Sequence, residues 1–270
     1  MKRILAGLAL TTAAALVTAT PAAQAAPVDP VKALKKQFVA GHGVRISEKT
    51  RMSMDGKGVG VSTTLGSFEF GKSGIVASDL RTRRPSKDKS LAAALAPPRI
   101  ITVGGYSYVQ GGLFTEDLPE GKKWVRYGGG EATGGTYNQI LDIFEPKVLK
   151  TLVSRAKSFK GGTYKGALTY SELAKAYGQK LSGTIGKIKI DYALKVNSKG
   201  LVTTLTSGWS LDFGVLGKTR SETETRYLGW GSKVKIKAPA KDLWVDVDDL
   251  GEDSDVPLEI PNNSLNSLTN

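Results

Sequence analysis

The segment from residue 184 to residue 213 alternates apolar and polar side chains along two stretches that flank the turn sequence Asn197-Ser198-Lys199-Gly200. A period of two is typical of β-strands that bury one face, and the short polar turn predicts a β-hairpin. At about 1.5–3 kcal/mol for each large apolar side chain buried, the apolar face is worth about 15–30 kcal/mol and must be covered. That face carries Ile188, Ile190, Tyr192, Leu194, Val196, Leu201, Leu205, Trp209, Leu211 and Phe213.

The same alternation recurs elsewhere and predicts ten or eleven strands in all. The other strand regions are residues 44–80, 99–127, 164–168, 222–228 and 233–238. Helical spacing and capping residues predict helices over residues 30–40, 136–156 and 169–177, set apart from the strands in sequence, and Pro146 breaks or kinks the second of them. This order predicts an α+β fold: a single large curved antiparallel sheet, or half-barrel, with helices on its concave face.

The two ends of the chain differ in composition from its centre. Residues 1–25 join two basic residues to an apolar run and a small-residue cleavage site, which predicts a signal peptide and export, so that the protein is secreted or resides in the cell envelope. Residues 246–270 contain seven acids, no base and no hydrophobic period, and this predicts a disordered tail. Residues 26–245 remain as one domain.

Charge is the strongest clue to partners outside the core. Residues 26–245 hold 36 bases and 18 acids, a formal charge of +18, although the whole chain carries +13. An exported basic protein meets anionic membrane surfaces or acidic wall polymers rather than nucleic acid. Alternatively, the charge serves solubility alone.

Residues suited to catalysis or metal binding are scarce. The chain has no cysteine, and its single histidine, His42, lies between two glycines just after the first predicted helix. No zinc-protease, serine-hydrolase or phosphate-loop motif occurs, and the acidic run of residues 246–255 lacks the spacing of a calcium loop. We therefore expect no enzyme activity, no metal and no cofactor. A hydrolase would need His42 as its base.

Four segments of the sequence resemble segments of a known protein family. They are the basic first helix, the segment Leu118-Pro119-Glu120-Gly121-Lys122-Lys123-Trp124-Val125, the sequence Gly162-Thr163-Tyr164-Lys165-Gly166 before Glu172-Leu173, and Gly229-Trp230-Gly231 followed by Ala238-Pro239. In order and spacing they resemble the LppX/LprG-like (LppX_LprAFG) lipoproteins of actinobacterial envelopes, whose fold is similar to that of LolA and LolB. The resemblance implies that residues 26–245 form a half-barrel enclosing a cavity for acylated lipid. The lipobox cysteine of the family is absent, which favours an exported carrier without a lipid anchor.

The predicted ligand site lies between the hairpin and the second helix. The wall is predicted from Ile188, Ile190, Tyr192, Leu194, Leu205, Trp209 and Leu211, and the roof from Leu141, Phe144, Leu149 and Leu152. The glycine-rich residues 128–135 would hinge the roof. In the alternative arrangement these apolar side chains simply pack on one another and leave no cavity.

Two functions follow from these observations. The first is a monomeric exported carrier that binds an acylated lipid or fatty acid. The alternative is a basic cell-wall module without a cavity that binds anionic polymers. Its binding surface would be Lys187, Lys189, Lys195, Lys233, Lys235 and Lys237.

Overall fold

The computed structural model describes residues 28–84, 97–212, 214–251 and 254–260. The predicted signal peptide and residues 261–270 of the predicted tail lie outside these ranges. The described strands are β1 (His42–Met54), β2 (Lys57–Phe70), β3 (Ile75–Arg83), β4 (Arg99–Val103), β5 (Tyr106–Gln110), β6 (Trp124–Gly128), β7 (Ala156–Lys160), β8 (Thr163–Thr169), β9 (Lys189–Val196), β10 (Val202–Asp212), β11 (Lys218–Lys233) and β12 (Trp244–Asp246).

All twelve strands belong to one sheet with the order β12-β6-β5-β4-β3-β2-β1-β11-β10-β9-β8-β7. Neighbouring strands are antiparallel except for β12 and β6, which are parallel. The sheet does not close, because β12 and β7 form its two edges. The predicted α+β half-barrel is thus confirmed.

Four described helices accompany the sheet: α1 (Pro30–Lys35), α2 (Pro146–Ser154), α3 (Tyr170–Ala176) and α4 (Gly183–Gly186). The predicted start of α1 is confirmed, since Asp29 Oδ1 accepts a hydrogen bond from the Val31 amide at 2.8 Å. The predicted capping box of α3 is also confirmed. The Glu172 amide donates to Thr169 Oγ1 at 3.2 Å, and the Thr169 amide donates to Glu172 Oε2 at 2.8 Å.

The main core lies on the concave face, where α1, α2 and α3 cover strands β1, β2 and β8–β11. Leu149 and Leu152 of α2 and Leu173 of α3 are fully buried there. Aromatic rings complete the cluster: the Phe144 ring lies 5.1 Å from Phe68 and 5.7 Å from Tyr227. The hairpin's apolar face is therefore covered largely by the chain's own helices.

The helix predicted over residues 136–156 is wrong in its first half. Residues 136–145 are irregular, and α2 begins at Pro146 with Glu145 as its cap. The Thr136 hydroxyl does accept a hydrogen bond from the Gln139 amide at 2.9 Å, as a cap would. Proline disfavours helical geometry in the residue before it, so the helix cannot run continuously through this point.

Two strand boundaries also differ from the prediction. The hairpin was predicted to begin at residue 184, but α4 occupies residues 183–186 and β9 begins at Lys189. The predicted strands at 222–228 and 233–238 are replaced by one long strand, β11, which ends at Lys233, whereas residues 234–240 are irregular. Pairing with β10 over residues 218–226 and with β1 over nearly the whole strand extends β11, and β1 alone pairs with the part that contains the glycines near its end.

The acidic tail differs from the prediction over its described part, because residues 247–251 and 254–260 pack on the protein. Val256 is 4% exposed and joins a second apolar cluster with Val109 and Tyr127. The Tyr127 hydroxyl donates to the Pro257 carbonyl at 2.7 Å. Apolar residues interspersed among the acids thus find partners that belong to distant strands, and a local sequence pattern does not reveal such partners.

Candidate functional site

A cavity of about 1230 Å³ lies on the concave side of the sheet, over strands β3 to β5. Its floor consists of Ser78 and Leu80 from β3, Ile100 and Thr102 from β4, and Ser107 from β5. These residues occur at every second position because alternate side chains of a strand face the same side. The Thr102 and Ser107 hydroxyls lie 3.1 Å apart and form a hydrogen bond.

The glycine-rich segment 128–135 forms one side of the cavity. Two of its glycines permit very close approaches. A Cβ at Gly134 would lie 2.1 Å from the Phe144 ring, and a Cβ at Gly130 would lie 2.6 Å from the Ser107 amide nitrogen. The segment therefore packs tightly at these two points, and its proposed role as a hinge stays a prediction.

The far side of the cavity comes from the C-terminal segment. Residues 258–260 line it together with Tyr127, Tyr177 and Gln179. The described part of the tail reaches this position by passing around the β12 edge. Ile236 and Trp244 pack beside Ile101 on the convex face, whereas Val256 packs beside Tyr127 on the concave face.

The cavity lining combines apolar surface with hydroxyls and carboxylates. Ile75, Leu80, Ile100, Ile140 and Phe144 supply the aliphatic and aromatic surface. Among the described lining residues there is no lysine and no arginine, although the protein is strongly basic overall. The carboxylates are Glu131, Asp142, Glu145 and Glu259. An anionic group would meet carboxylates and no lysine or arginine among these lining residues, although the Arg84 guanidinium lies 5.9 Å from the centre of the ring of Tyr137, which is one of them.

Asp142 is the most deeply buried of these carboxylates. It accepts hydrogen bonds from the Gly134 amide at 3.0 Å and from the Phe144 amide at 2.8 Å. Burial raises the pKa of Asp142 to about 6, although both amides favour the charged form. The side chain therefore ties the glycine-rich segment to the residues that precede α2.

A second buried carboxylate lies at the centre of the concave face. Glu48 of β1 is 1% exposed and accepts hydrogen bonds from the Thr136 hydroxyl at 2.7 and 2.8 Å and from the Thr225 hydroxyl at 2.9 Å. Next to it, Gln139 donates to Thr225 at 3.3 Å and accepts from the Ser207 hydroxyl at 2.8 Å. Burial raises the pKa of Glu48, and the hydroxyl donors partly oppose that rise. This polar network anchors residues 136–139 to the sheet.

The predicted site residues fall into three groups in the structure. Only Phe144 lines the large cavity. Ile188, Trp209 and Leu211 are half-buried near the end of the hairpin. The others are buried in the main core, and their role in ligand binding stays a prediction. They are Ile190, Tyr192, Leu194, Leu205, Leu141, Leu149 and Leu152.

The polar inner face of strand β11 was not predicted, although the sequence contains a pattern that indicates it. Strand β11 carries small hydroxyl residues at every second position, and all of them are buried. Such alternation marks an inward face as clearly as apolar residues do. The hydroxyls on this strand are Thr219, Ser221, Thr223 and Thr225.

The six lysines proposed for polymer binding do not form one row. Lys189 and Lys195 project from β9, and Lys187 follows α4. Lys233 and Lys235 instead border a separate depression of about 450 Å³ with Gly41 and Glu69.

Within the described ranges, no group of three or more histidine, aspartate or glutamate side chains is arranged to hold a metal ion. No helix there is long and apolar enough to span a bilayer.

The chain matches no protein-family model, and no curated protein is similar to it in sequence. Solved structures with a related shape include a LolA superfamily protein from Nitrosomonas europaea, at 9% identity and a TM-score of 0.30, covering 76% of this chain and 93% of that one. A DUF1329 family protein from Desulfovibrio piger has 12% identity and a TM-score of 0.29, covering 78% and 96%. Lipovitellin has 11% identity and a TM-score of 0.22, covering 75% and 26%. At these TM-scores none of the likenesses carries an argument, and the resemblance to LppX/LprG-like proteins stays a prediction.

Proposed function

We propose that this chain is an exported carrier that holds an acylated lipid in the cavity over β3–β5. The observation that carries the proposal is the cavity itself, because its volume of about 1230 Å³ exceeds the ordinary range of small-molecule sites, about 300–1,000 Å³. The space is half-open rather than a sealed void, and its aliphatic lining can shield an acyl chain that lies in it.

The cavity lining defines the chemistry of the lipid. The aliphatic side chains Leu80, Ile100 and Ile140 suit an acyl chain, and a sixteen-carbon chain withdrawn from water gains about 12 kcal/mol. This gain competes with an association cost of about 4–15 kcal/mol, so the chain must be deeply inserted. Because the lining has carboxylates and hydroxyls but no lysine or arginine, the polar end of the lipid is neutral or cationic.

Lipid uptake by purified protein tests the proposal. We expect native mass spectrometry to detect bound lipid after gentle purification, and the delipidated protein to take up fluorescent diacylglycerol more strongly than a fluorescent fatty acid. The substitutions Ile100→Trp and Ile140→Trp each place a bulkier side chain in the cavity, one at the floor and one on the opposite side, and we expect each of them to reduce uptake. Thr206→Trp on the outer face of β10 is the matched control and is expected to retain uptake.

Three results would refute the carrier. They are protein that is empty after gentle purification, the absence of uptake of either probe, and uptake that is unchanged in both tryptophan variants of the cavity. Salt-sensitive binding to an anionic wall polymer without lipid uptake would instead favour the basic wall module.

A further inference from the structure

The convex face of the central strands combines basic and aliphatic side chains. On β1, Val44, Ile46, Glu48 and Thr50 face the core, so the alternate positions of the strand face outward. We use the name basic–aliphatic face for eight exposed residues. They are Arg45, Lys49, Arg51, Val61, Leu65, Arg81, Arg83 and Leu228.

The sheet register places each aliphatic side chain of this face directly beside an arginine. Val61 pairs with Arg51, and Leu228 pairs with Arg45. Leu65 pairs with Arg81 on the next strand. Directly paired residues of neighbouring strands project to the same side of the sheet. Each of these three aliphatic side chains therefore lies next to an arginine side chain on this face.

The three aliphatic side chains are unusually accessible for a sheet of this size. Val61 is 39% exposed, Leu65 is 48% exposed and Leu228 is 50% exposed. The C-terminal segment crosses the same side of the sheet near the end of β2, where the Ile236 amide donates to Glu69 at 2.7 Å, and continues over β4 to β6, where Ile236 and Trp244 pack beside Ile101. The centre of the convex face thus stays open to solvent.

The charge on this face is predominantly positive. Within the described ranges, the outward positions of β1 carry Arg45, Lys49 and Arg51 and no acid. Two acids lie alongside on β11, and each is already hydrogen-bonded to an arginine of its own strand: Glu222 to Arg220 at 2.7 Å and Glu224 to Arg226 at 2.8 Å.

We propose that the basic–aliphatic face docks the protein on an anionic lipid bilayer. Arginines bind lipid phosphates, whereas the adjacent aliphatic side chains lose their contact with water at the boundary between headgroups and acyl chains. A soluble polyanion would satisfy the arginines but would leave the aliphatic side chains exposed. Strand β1 lies near the middle of the sheet order, so the convex curvature presents this face first to a flat surface.

Vesicle flotation tests the proposal with the full chain. We expect the protein to bind vesicles of phosphatidylcholine mixed with phosphatidylglycerol and not to bind vesicles of phosphatidylcholine alone. A triple variant, Val61→Thr, Leu65→Thr and Leu228→Thr, removes the aliphatic surface while keeping residues that favour strands. A double variant, Arg51→Gln and Arg81→Gln, removes two charges.

Each removed arginine should weaken binding about fivefold, so the double variant should bind about 25-fold more weakly than wild type. The threonine variant should also bind more weakly. Two control variants remove the same kinds of side chain from positions outside this face. Val39→Thr with Ile185→Thr removes aliphatic side chains that are 48% and 43% exposed, and Lys147→Gln with Lys150→Gln removes two exposed charges of α2.

Binding by both control variants and loss of binding by both test variants, with unchanged circular dichroism, would support the proposal. Failure of the wild type to bind anionic vesicles would overturn it. Wild-type binding by the threonine variant would also overturn it, because charge alone would then account for the interaction. The cavity variant Ile100→Trp separates this proposal from the carrier function, since its lipid uptake should be reduced whereas its vesicle binding should be unchanged.

Discussion

Glu48 offers a sharp test of the polar interior, because it is a buried carboxylate without a cationic partner among the ion pairs of the described residues. The Thr136 hydroxyl shares its proton between the two carboxylate oxygens, and the Thr225 hydroxyl donates to Oε2. Glutamine has the same shape and retains an acceptor oxygen, but it carries no charge. We predict that Glu48→Gln stabilises the protein at neutral pH.

The direction of this change in stability follows from the protonation of Glu48 in the folded and unfolded states. Burial raises the pKa of Glu48 in the folded protein above its unfolded value of 4.5, so the folded state binds the proton more tightly. Below pH 4.5 the carboxyl is protonated in both states, and the two proteins should be almost equally stable. As the pH rises above 4.5, the wild type loses stability, because folding must then either retain a proton or bury a charge.

The expected gain is about 1–3 kcal/mol at about pH 7.5, the usual cost of burying a polar group whose partners compensate it incompletely. Urea unfolding followed by fluorescence, at several values between about pH 4 and pH 8, measures the difference in free energy of unfolding. Glu116→Gln is the matched control, because Glu116 is exposed and its substitution should leave that free energy unchanged.

A difference between Glu48→Gln and wild type that is independent of pH would refute this reasoning. So would a variant that is less stable than wild type at about pH 7.5, because the hydrogen bonds to the charged carboxylate would then outweigh its desolvation. Substitution by leucine should destabilise the protein at every pH, since the hydroxyls of Thr136 and Thr225 would lose their acceptor.

Two further predictions concern local contacts. Val256→Ala should lower the free energy of unfolding by about 1–3 kcal/mol in urea unfolding, because Val256 is 4% exposed; an unchanged value would mean that the tail contributes no packing. Thr169→Ala should cost about 1 kcal/mol and speed amide exchange in α3, because it removes the acceptor for the Glu172 amide; equal exchange rates would contradict the capping role.

Local sequence patterns predicted the elements whose stability comes from neighbouring residues. The alternation in residues 189–212 is sufficient to specify paired strands on either side of a turn, and β9 and β10 occupy these positions. The caps at Asp29 and Thr169 follow the same rule, because each bonds an amide two or three residues away. The half-barrel class then follows from many antiparallel strands with few helices.

The candidate cavity depended on contacts between distant residues. Residues 136–145 have a capping signal and helical spacing, yet Glu48, Ser207 and Thr225 bind their side chains from strands far away in sequence. The predicted wall and roof residues have the apolar character of a lipid site, but helices of the same chain cover most of them. Apolar character predicts burial, and it does not distinguish a protein partner from a ligand.

The sequence by itself determined most of the strands, the capped helices and the basic character of the chain, because each depends on spacing or on composition, but it did not predict the edge strands β7 and β12. The tertiary structure alone decided that the C-terminal segment passes around the β12 edge and lines the cavity together with the glycine-rich residues. It also decided which basic residues stand beside exposed aliphatic ones, since strand register relates residues that no local period connects.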